Sequence, residues 1–264
     1  MAVADSHCHL DIADPPEDWL SVDDALAASA AVGVPRIVQI GCDLPGARWA
    51  VETASQHAGI VAGVSLHPNE APRLARDGAL DEALAEIDLL AAHPDVRAVG
   101  ETGLDHFRTG AEGRADQEAS FRAHIEMAKR HGKALVIHDR DAHDDVLRVL
   151  HDARPPDRVV FHCFSGDAAM AAHCVEQGWW LSFAGTVTFK SAEGLRTALA
   201  AAPLDRLLVE TDAPYLTPMP YRGRPNASYL IPHTVRAMAA VKGVDEDTLA
   251  TAIAASTEAA FGTW

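Results

Sequence analysis

Short runs of aliphatic and β-branched residues recur along the chain, and each is followed by a longer stretch with one apolar and one polar side. Apolar runs of this length, bounded by polar or turn-forming residues, are typical of buried strands. Eight such runs predict strands over Val3–His9, Arg36–Ile40, Ile60–Leu66, Val96–Glu101, Ala134–His138, Arg158–His162, Trp179–Phe183 and Arg206–Thr211.

The stretches between these runs have the spacing of amphipathic helices. In Gln117–His131, Phe121 and Ile125 fall on one side and most charged residues on the other. Gly132 follows directly, and glycine at that position commonly ends a helix. Asp141–Leu150 repeats the pattern after the fifth run. The chain therefore alternates strand and helix.

Strands that alternate with helices pair in parallel, because each helix returns the chain to the edge where the next strand begins. Eight such units in 264 residues fit a closed (β/α)8 barrel of the TIM type, which takes about 250 residues. An open, doubly wound sheet is the alternative. We expect residues 1–264 to form one domain, with Pro214–Pro225 as a long loop over the active-site face.

Charge narrows the range of partners. The formal net charge is -16, with 38 acidic against 22 basic residues. Non-specific wrapping of nucleic acid needs lysine and arginine to displace counterions, so this composition argues against it. A phosphate substrate remains compatible if bound metals supply positive charge locally.

The cysteines and the hydropathy of the chain indicate the cellular compartment in which the protein is found. The four cysteines contain no C-x-x-C pair and are interpreted as buried thiols of a reducing compartment: Cys8, Cys42, Cys163 and Cys174. The amino terminus lacks the pattern of a signal peptide, and no apolar run approaches the roughly 20 residues that span a bilayer. We expect a cytoplasmic protein without membrane association, and a monomer.

Residues that bind metals stand where the predicted strands end. The first strand finishes in the sequence Asp5-Ser6-His7-Cys8-His9. Because side chains alternate along a strand, Asp5, His7 and His9 are expected on one face and Cys8 on the other. Two histidines spaced in this way can reach one cation together, although such a pair alone is a weak signal.

Four more strands end in histidine or carboxylate, and the ends of barrel strands converge on one mouth. The resulting candidate set is His7, His9, Glu101, His138, His162 and Asp212. Imidazoles and carboxylates suit Zn, Mn, Fe or Ni, and mixed sites also take Mg. The set exceeds the four ligands of one tetrahedral site, whereas two metals that share a carboxylate would use all of it. Six other histidines are interpreted as surface residues: His57, His93, His124, His131, His151 and His173.

Seven motifs run in order through nearly the whole chain: DSHCHL (Asp5–Leu10), SLHP (Ser65–Pro68), GETGLD (Gly100–Asp105), HDR (His138–Arg140), HCFSG (His162–Gly166), ETDAPYL (Glu210–Leu216) and RGRPN (Arg222–Asn226). With these motifs the chain resembles the TatD-family hydrolases, metal-dependent deoxyribonucleases of the amidohydrolase superfamily. HCFSG and ETDAPYL are the most specific of them.

The resemblance implies a site with two divalent cations, of which Mg, Mn or Zn are the candidates. One cation would be held by His7, His9 and Asp212, and the other by His138 and His162, with Glu101 as the bridging ligand. The implied activity is hydrolysis of phosphodiester bonds by metal-activated water, in the form of 3′-5′ exonuclease trimming of single-stranded DNA or RNA. The expected partners are therefore nucleic-acid 3′ ends or another phosphoester.

Roles for further residues follow from this picture. Asp212 would accept the proton of the attacking water as general base, and Glu101 is the second catalytic candidate. Candidate phosphate contacts are His67, Arg140, Lys190 and Arg222. A surface salt bridge is the alternative for the two arginines, and a surface role for the lysine. Residues expected to orient ligands or loop backbone are Asp5, Asp105 and Glu210. A structural contact inside the barrel is the alternative for Asp5.

Three positions depart from the pattern common in the family. Ala227 and Ser228 follow Asn226 where Glu-Pro is frequent, His106 replaces a tyrosine, and Ser256 stands for an asparagine. None of these is a proposed ligand, so the departures bear on loops and substrate contacts.

Two other functions compete with a nuclease. A metal-dependent ester or amide hydrolase, such as an aminoacyl-tRNA deacylase, would use the same activated water. A metal-binding scaffold without turnover would be expected to show a damaged ligand set, and all six positions here are intact.

Overall fold

The structure is a computed structural model that describes residues 2–12 and 20–264. All eight predicted strands are present. They are β1 Ala4–Cys8, β2 Arg36–Gly41, β3 Ile60–Val64, β4 Val96–Asp105, β5 Ala134–Arg140, β6 Val159–Phe161, β7 Trp180–Phe183 and β8 Leu207–Val209. The largest difference is in β4, which runs to Asp105 because its pairing with β5 continues to the Asp105–Arg140 pair.

Helices follow the strands as predicted, with two helices in place of one after β3 and after β8. They are α1 Val22–Ala31, α2 Leu44–Gln56, α3 Glu70–Arg76, α4 Leu80–Ala91, α5 Arg114–His131, α6 His143–Ala153, α7 Ala168–Glu176, α8 Glu193–Ala201, α9 Ile231–Lys242 and α10 Glu246–Phe261. None of the helices in the described ranges is long and apolar enough to cross a membrane. The expected cytoplasmic location stays a prediction.

One eight-stranded sheet contains the strands in their chain order, from β1 to β8. The strand pairs β1–β2, β3–β4, β4–β5, β5–β6 and β7–β8 are parallel. Beyond β8, Ala213 forms a parallel bridge with Cys8 at the end of β1. The first strand therefore meets the last, as in a barrel and not in a doubly wound sheet. The fold is a TIM-type (β/α)8 barrel, as predicted.

Two compact units divide the described chain. One comprises residues 40–162, and its core includes Phe121, Ile125 and Ile137, all fully buried. The other comprises, of the described residues, 2–12, 20–39 and 163–264, and its buried side chains include Phe183 and Phe261. That residues 1–264 form one domain stays a prediction.

The long helix α5 confirms one prediction and corrects another. Phe121 and Ile125 are buried on one side of it, and Gly132 ends it in the left-handed conformation. His124, however, lies on the same buried side and is fully enclosed, so its assignment to the surface was wrong. The spacing from Phe121 already places His124 on the apolar face, because residues three apart on a helix are neighbours.

His124 joins α5 to the end of β3. Its Nε2 accepts a hydrogen bond from the Leu66 backbone N–H at 3.1 Å, so the ring proton is on Nδ1, which donates to the Ser120 carbonyl at 2.7 Å. Burial lowers the pKa of His124 from 6.5 to about 4, although the Ser120 hydrogen bond raises it. The imidazole is therefore neutral in the folded protein and fixes the backbone just before His67.

Stability should fall in mild acid because of this residue. Unfolding returns His124 to a pKa near 6.5, so its contribution is complete above that pH and is lost as the pH falls towards 4. The shift corresponds to roughly 3 kcal/mol across the window. We expect His124→Gln, whose side-chain oxygen can still accept from Leu66, to flatten the dependence of the unfolding free energy on pH between 6.5 and 4.

Urea denaturation at several pH values measures the effect against a matched variant. His151 is 91% exposed, so His151→Gln should leave the acid dependence of the wild type unchanged. Equal slopes for His124→Gln and wild type would contradict the assignment of a buried neutral imidazole.

Candidate metal centre

A β-bulge shapes the amino-terminal motif. The register of β1 against β2 shifts by one residue between Asp5 and Cys8, and a bulge of this kind interrupts the alternation of side chains. As a result Asp5 and Cys8 contact the same hydroxyl, Ser228 Oγ, at 2.8 and 3.8 Å. The prediction that Asp5 shares a face with His7 and His9 was therefore wrong.

Asp5 is buried, and its hydrogen bonds link the first strand to the segment that follows the last one. Its carboxylate accepts hydrogen bonds from the Thr211 N–H and hydroxyl, from Ser228 Oγ and from the His7 N–H. Burial raises the pKa of Asp5 to about 6, while these hydrogen bonds act in the opposite direction. Asp5 thus holds the backbone beside His7 and Asp212, and its role in orienting metal ligands stays a prediction.

His7, His9 and Asp212 form the first cluster. The two imidazole rings lie edge to face with centroids 5.0 Å apart, and their Nε2 atoms are 3.8 and 3.3 Å from Asp212 Oδ1. Each residue has a ligand atom within 4.8 Å of the others'. His7 and His9 are buried, and the Asp212 side chain is 15% exposed. The geometry matches the grouping of these three residues predicted for one cation.

Asp212 is held in an unusual backbone conformation. Its φ is 55°, in the left-handed region that side chains other than glycine seldom adopt and that is often found at functional sites. Its N–H donates to the His7 carbonyl at 2.9 Å, and its own carbonyl accepts from the Tyr215 N–H at 2.9 Å. These two bonds fix the carboxylate next to the histidines.

Two glycines allow β4 to pass close to β5. Gly100 and Gly103 have φ values of 144° and 141°. A Cβ on Gly100 would lie 2.3 Å from the Val136 carbonyl oxygen, and one on Gly103 would lie 2.1 Å from that of His138. Both positions therefore require glycine. The GETG motif thereby places Glu101 beside the end of β5.

Glu101, His138 and His162 form the second cluster. Glu101 Oε2 is 2.7 Å from His162 Nε2 and 3.4 Å from His138 Nδ1. Burial acts to raise the pKa of Glu101, but the neighbouring His162 and the hydrogen bonds from His138 and His162 outweigh it, and the pKa lies well below the usual value. Burial lowers the pKa of His138, yet hydrogen bonds to Asp105 and Glu101 leave it raised. The carboxylate at the centre of this cluster is therefore ionised.

Asp105 contacts the imidazole of His138 on the side away from Glu101. Asp105 Oδ2 lies 3.4 Å from His138 Nε2, so it faces the opposite edge of the ring from Glu101. Burial acts to raise the pKa of Asp105, but hydrogen bonds from His138, the Arg108 backbone and Asn69 hold it below the usual value. Asp105 thus lies against the imidazole that it was predicted to orient, and the orienting role stays a prediction.

His67 contributes a neutral imidazole. Its ring lies 4.5 Å from that of His138, and burial lowers its pKa to about 3 despite the nearby Glu101 carboxylate. The Asn69 N–H donates to His67 Nδ1 at 3.1 Å. The ring proton is therefore on Nε2, which lies 3.8 Å from Glu101 Oε1 and can donate to an oxygen of a substrate.

Glu210 secures the turn after β6. It is fully buried, and its Oε1 accepts the Cys163 N–H at 2.7 Å. Cys163 has a φ of 42°, a strained conformation for a side-chain-bearing residue. Glu210 therefore holds the backbone N–H of the residue that follows His162, and its role in orienting a metal ligand stays a prediction.

Some supporting residues were missed from the sequence. The Cys42 thiol donates to Glu101 Oε1 at 3.1 Å, and the Ser65 hydroxyl donates to the Glu101 carbonyl at 2.9 Å. Gln117 and Asn69 hold the backbone and carboxylate of Asp105. No local pattern marks such contacts, because each joins residues far apart in the sequence. Cys42 and Cys163 are also only partly buried, unlike Cys8 and Cys174, and none of the four, all described, forms a disulfide.

The predicted phosphate contacts differ in their surroundings. The Arg140 guanidinium lies 4.0 Å from the centroid of the Phe107 ring, and that of Arg222 lies 4.5 Å from the Phe189 centroid. Among the described residues neither arginine pairs with a carboxylate, and their role as phosphate contacts stays a prediction. Lys190 is exposed, and its substrate role stays a prediction.

The two clusters have the chemistry that divalent cations need. Each combines imidazole nitrogens with a carboxylate, the donor set preferred by zinc and by other first-row metals. In each, buried or nearly buried ligand atoms face one another at 2.7–3.8 Å. Each cluster therefore fits a divalent cation by its donor types and spacing.

Comparison with known proteins identifies the family. A sequence model described as TatD related DNase matches residues 4–262. The chain belongs to this family. Relatives of the chain are named metal-dependent hydrolases. One of them, the uncharacterized metal-dependent hydrolase TatD of Mycobacterium tuberculosis, is 48% identical over 242 residues. The match covers 90% of this chain and 89% of the relative.

More distant TatD relatives agree. The uncharacterized metal-dependent hydrolase YcfH of Escherichia coli K12 is 38% identical over 251 residues, which cover 95% of this chain and 92% of YcfH. The crystal structure of YJJV, a TatD homolog of Escherichia coli K12, superimposes with a TM-score of 0.89 at 25% identity and covers 99% of this chain and 98% of its own. The chain is thus a TatD-family, metal-dependent hydrolase with a TIM-type barrel.

Proposed function

We propose that this protein hydrolyses phosphodiester bonds at the 3′ end of single-stranded nucleic acid. The observation that carries the proposal is the pair of buried histidine and carboxylate clusters, each suited to a divalent cation. When bound, such cations supply positive charge for the developing phosphorane and lower the pKa of a bound water. The family description, TatD related DNase, supports the same reaction class.

The first cluster supplies the general base. Asp212 Oδ1 faces His9 Nε2 at 3.3 Å, and the carboxylate is the most exposed group of its cluster. The carboxylate can therefore bind a cation and still accept a proton from the attacking water. The left-handed backbone of Asp212 keeps this side chain oriented before substrate arrives.

The second cluster supplies negative charge and a hydrogen-bond donor. Glu101 is ionised and takes the imidazoles of His138 and His162 as neighbours; its role as a bridging ligand stays a prediction. His67 stays neutral at physiological pH, so its Nε2–H can donate to a phosphate oxygen. Arg140 and Arg222, which are without carboxylate partners in the described ranges, can contact neighbouring phosphates.

Cleavage of a labelled single strand tests the proposal. Metal-stripped protein is mixed with 5′-labelled DNA, and Mg²⁺, Mn²⁺ or Zn²⁺ is added in turn. We expect a ladder that shortens from the 3′ end and disappears with EDTA. The Asp212→Ala variant, purified identically, stripped of metal and assayed with the same added cations, is the control: a lack of cleavage by this preparation excludes a contaminating nuclease.

A failure of this assay would also be informative. Protein that binds about two cations but cleaves no strand with any of the three metals would contradict the nuclease proposal. The ester or amide hydrolase alternative would then be tested on an aminoacyl-tRNA ester, since the same groups can activate water against a carbonyl carbon.

A further inference from the structure

A cavity of about 420 Å³ lies against the loop that follows β8. Its walls include Phe189 from the segment after β7, and Tyr215, Arg222 and Arg224 from the loop after β8. Cavities that bind small molecules measure about 300–1,000 Å³ and combine flat apolar walls with a few polar groups. The size and lining of this one suit a ligand with a planar ring and a negative charge.

The charge of the cavity is opposite to that of the protein. Its lining contains two arginines, and none of the described residues that form it is acidic, although acidic residues outnumber basic ones by 38 to 22 in the chain. Within residues 2–12 and 20–264, neither Arg222 nor Arg224 pairs with a carboxylate. Both guanidinium groups are therefore available to an anion.

One arginine is already stacked on an aromatic ring. The Arg222 guanidinium carbon lies 4.5 Å from the centroid of the Phe189 ring. Guanidinium planes and aromatic rings both stack on nucleic-acid bases. Tyr215, which is 44% exposed, adds a second ring to the same cavity.

Close packing holds the two loops together. Gly185 comes so near the second loop that a Cβ would lie 2.2 Å from the Leu216 carbonyl oxygen. The Met219 N–H donates to Thr188 Oγ1 at 2.8 Å, next to Phe189 in the sequence. The stacked pair is thus positioned by backbone contacts and does not depend on a ligand to form.

The cavity is also coupled to the first cluster. The Tyr215 N–H donates to the carbonyl of Asp212 at 2.9 Å. Asn226 Nδ2 donates to the carbonyls of Thr211 and Tyr215 at 2.9 and 2.6 Å. The wall of the cavity therefore shares hydrogen bonds with the backbone that carries the proposed base.

We propose that this cavity is a nucleotide subsite, in which one unpaired base stacks on the Arg222–Phe189 pair and its phosphate contacts Arg222 and Arg224. The inference rests on the proposed function and adds to it a binding place for one base of the single strand. In a duplex each base is already stacked between its neighbours, so only an unpaired one can enter.

Binding of two hexamers to the full-length, metal-loaded protein tests the subsite. One is dT6, and the other has the same length and charge but lacks bases; both carry phosphorothioate linkages, which resist cleavage. We expect Phe189→Leu to weaken binding of dT6 by roughly 5-fold to 150-fold, the range for loss of one stacked base. Binding of the abasic strand should stay unchanged.

A second variant tests the charge. Arg222→Gln should weaken binding of both strands and lower the magnitude of the slope of log Kd against log salt by about 0.7, the value for one phosphate contact on a single strand. Arg206 lies 5.3 Å from the Trp180 centroid just before β8, so Arg206→Gln removes a comparable pair outside the cavity and should change neither result.

The outcomes separate the two proposals. If Phe189→Leu binds dT6 as wild type does, or weakens both strands equally, the subsite is wrong even where wild type cleaves DNA. If the expected pattern holds while wild type cleaves no phosphodiester-linked strand, the subsite stands and the hydrolytic function fails. Circular dichroism of each variant confirms that binding was measured on folded protein.

Discussion

Replacing Asp212 with alanine should abolish hydrolysis while leaving the fold intact. The carboxylate faces His7 and His9 in the first candidate metal cluster, and its side chain is 15% exposed and not part of the apolar core. Its removal takes away both a ligand of the first cluster and the proposed general base, so kcat should fall by about 10²–10⁴-fold or more. Turnover on labelled DNA, together with the thermal midpoint, measures the effect.

Two further variants separate the roles of this residue. Asp212→Asn keeps an oxygen for a cation but cannot accept a proton, so we expect bound metal to be retained and turnover lost. Asp141 also follows a strand with a left-handed backbone, at φ 56°, and it belongs to neither cluster. Asp141→Ala should therefore retain activity. Near wild-type turnover of Asp212→Ala would show that the base has been assigned wrongly.

The second large effect is expected at Glu101. Glu101→Gln keeps the shape of the side chain but removes its charge from a site 2.7 Å from His162 and 3.4 Å from His138. Cation affinity should fall because the imidazoles alone cannot neutralise a divalent ion. Loss of a residue that only supports a ligand costs roughly 10- to 100-fold, so loss of this carboxylate should cost more than about 100-fold in activity.

Metal content by mass spectrometry gives the decisive reading for Glu101. Wild type should bind about two divalent cations per chain and Glu101→Gln fewer. Glu210→Gln is the matched control, because Glu210 is also a buried carboxylate but accepts the Cys163 N–H, a role that glutamine oxygen can fill. Unchanged cation content in Glu101→Gln would rule out the bridging ligand.

The strands and the ligand clusters could be predicted because both depend on local order in the sequence. Eight apolar runs produce eight strands, and the ligands sit at strand ends, which a parallel barrel brings to one face. His7, His9 and Asp212 meet as predicted, as do His138, His162 and Glu101. The glycines of GETG are also a local signal in the sequence, since their backbone angles exclude a side chain.

Other features came only from the tertiary structure, because they depend on residues distant in the sequence. A one-residue bulge turns Asp5 away from His7 and His9 towards Ser228. The two-residue repeat of a regular strand does not predict where such a bulge occurs. The partly buried Cys42 meets Glu101 across 59 positions. Arg222 reaches Phe189 from another loop.

The periodicity of apolar residues and the residue type at each strand end were thus enough to predict the barrel and the donor chemistry of its candidate metal ligands. The groups that surround those ligands became visible only in three dimensions. Hydrogen bonds, stacking and burial between distant residues depend on distances in space, which periodicity along the chain does not encode.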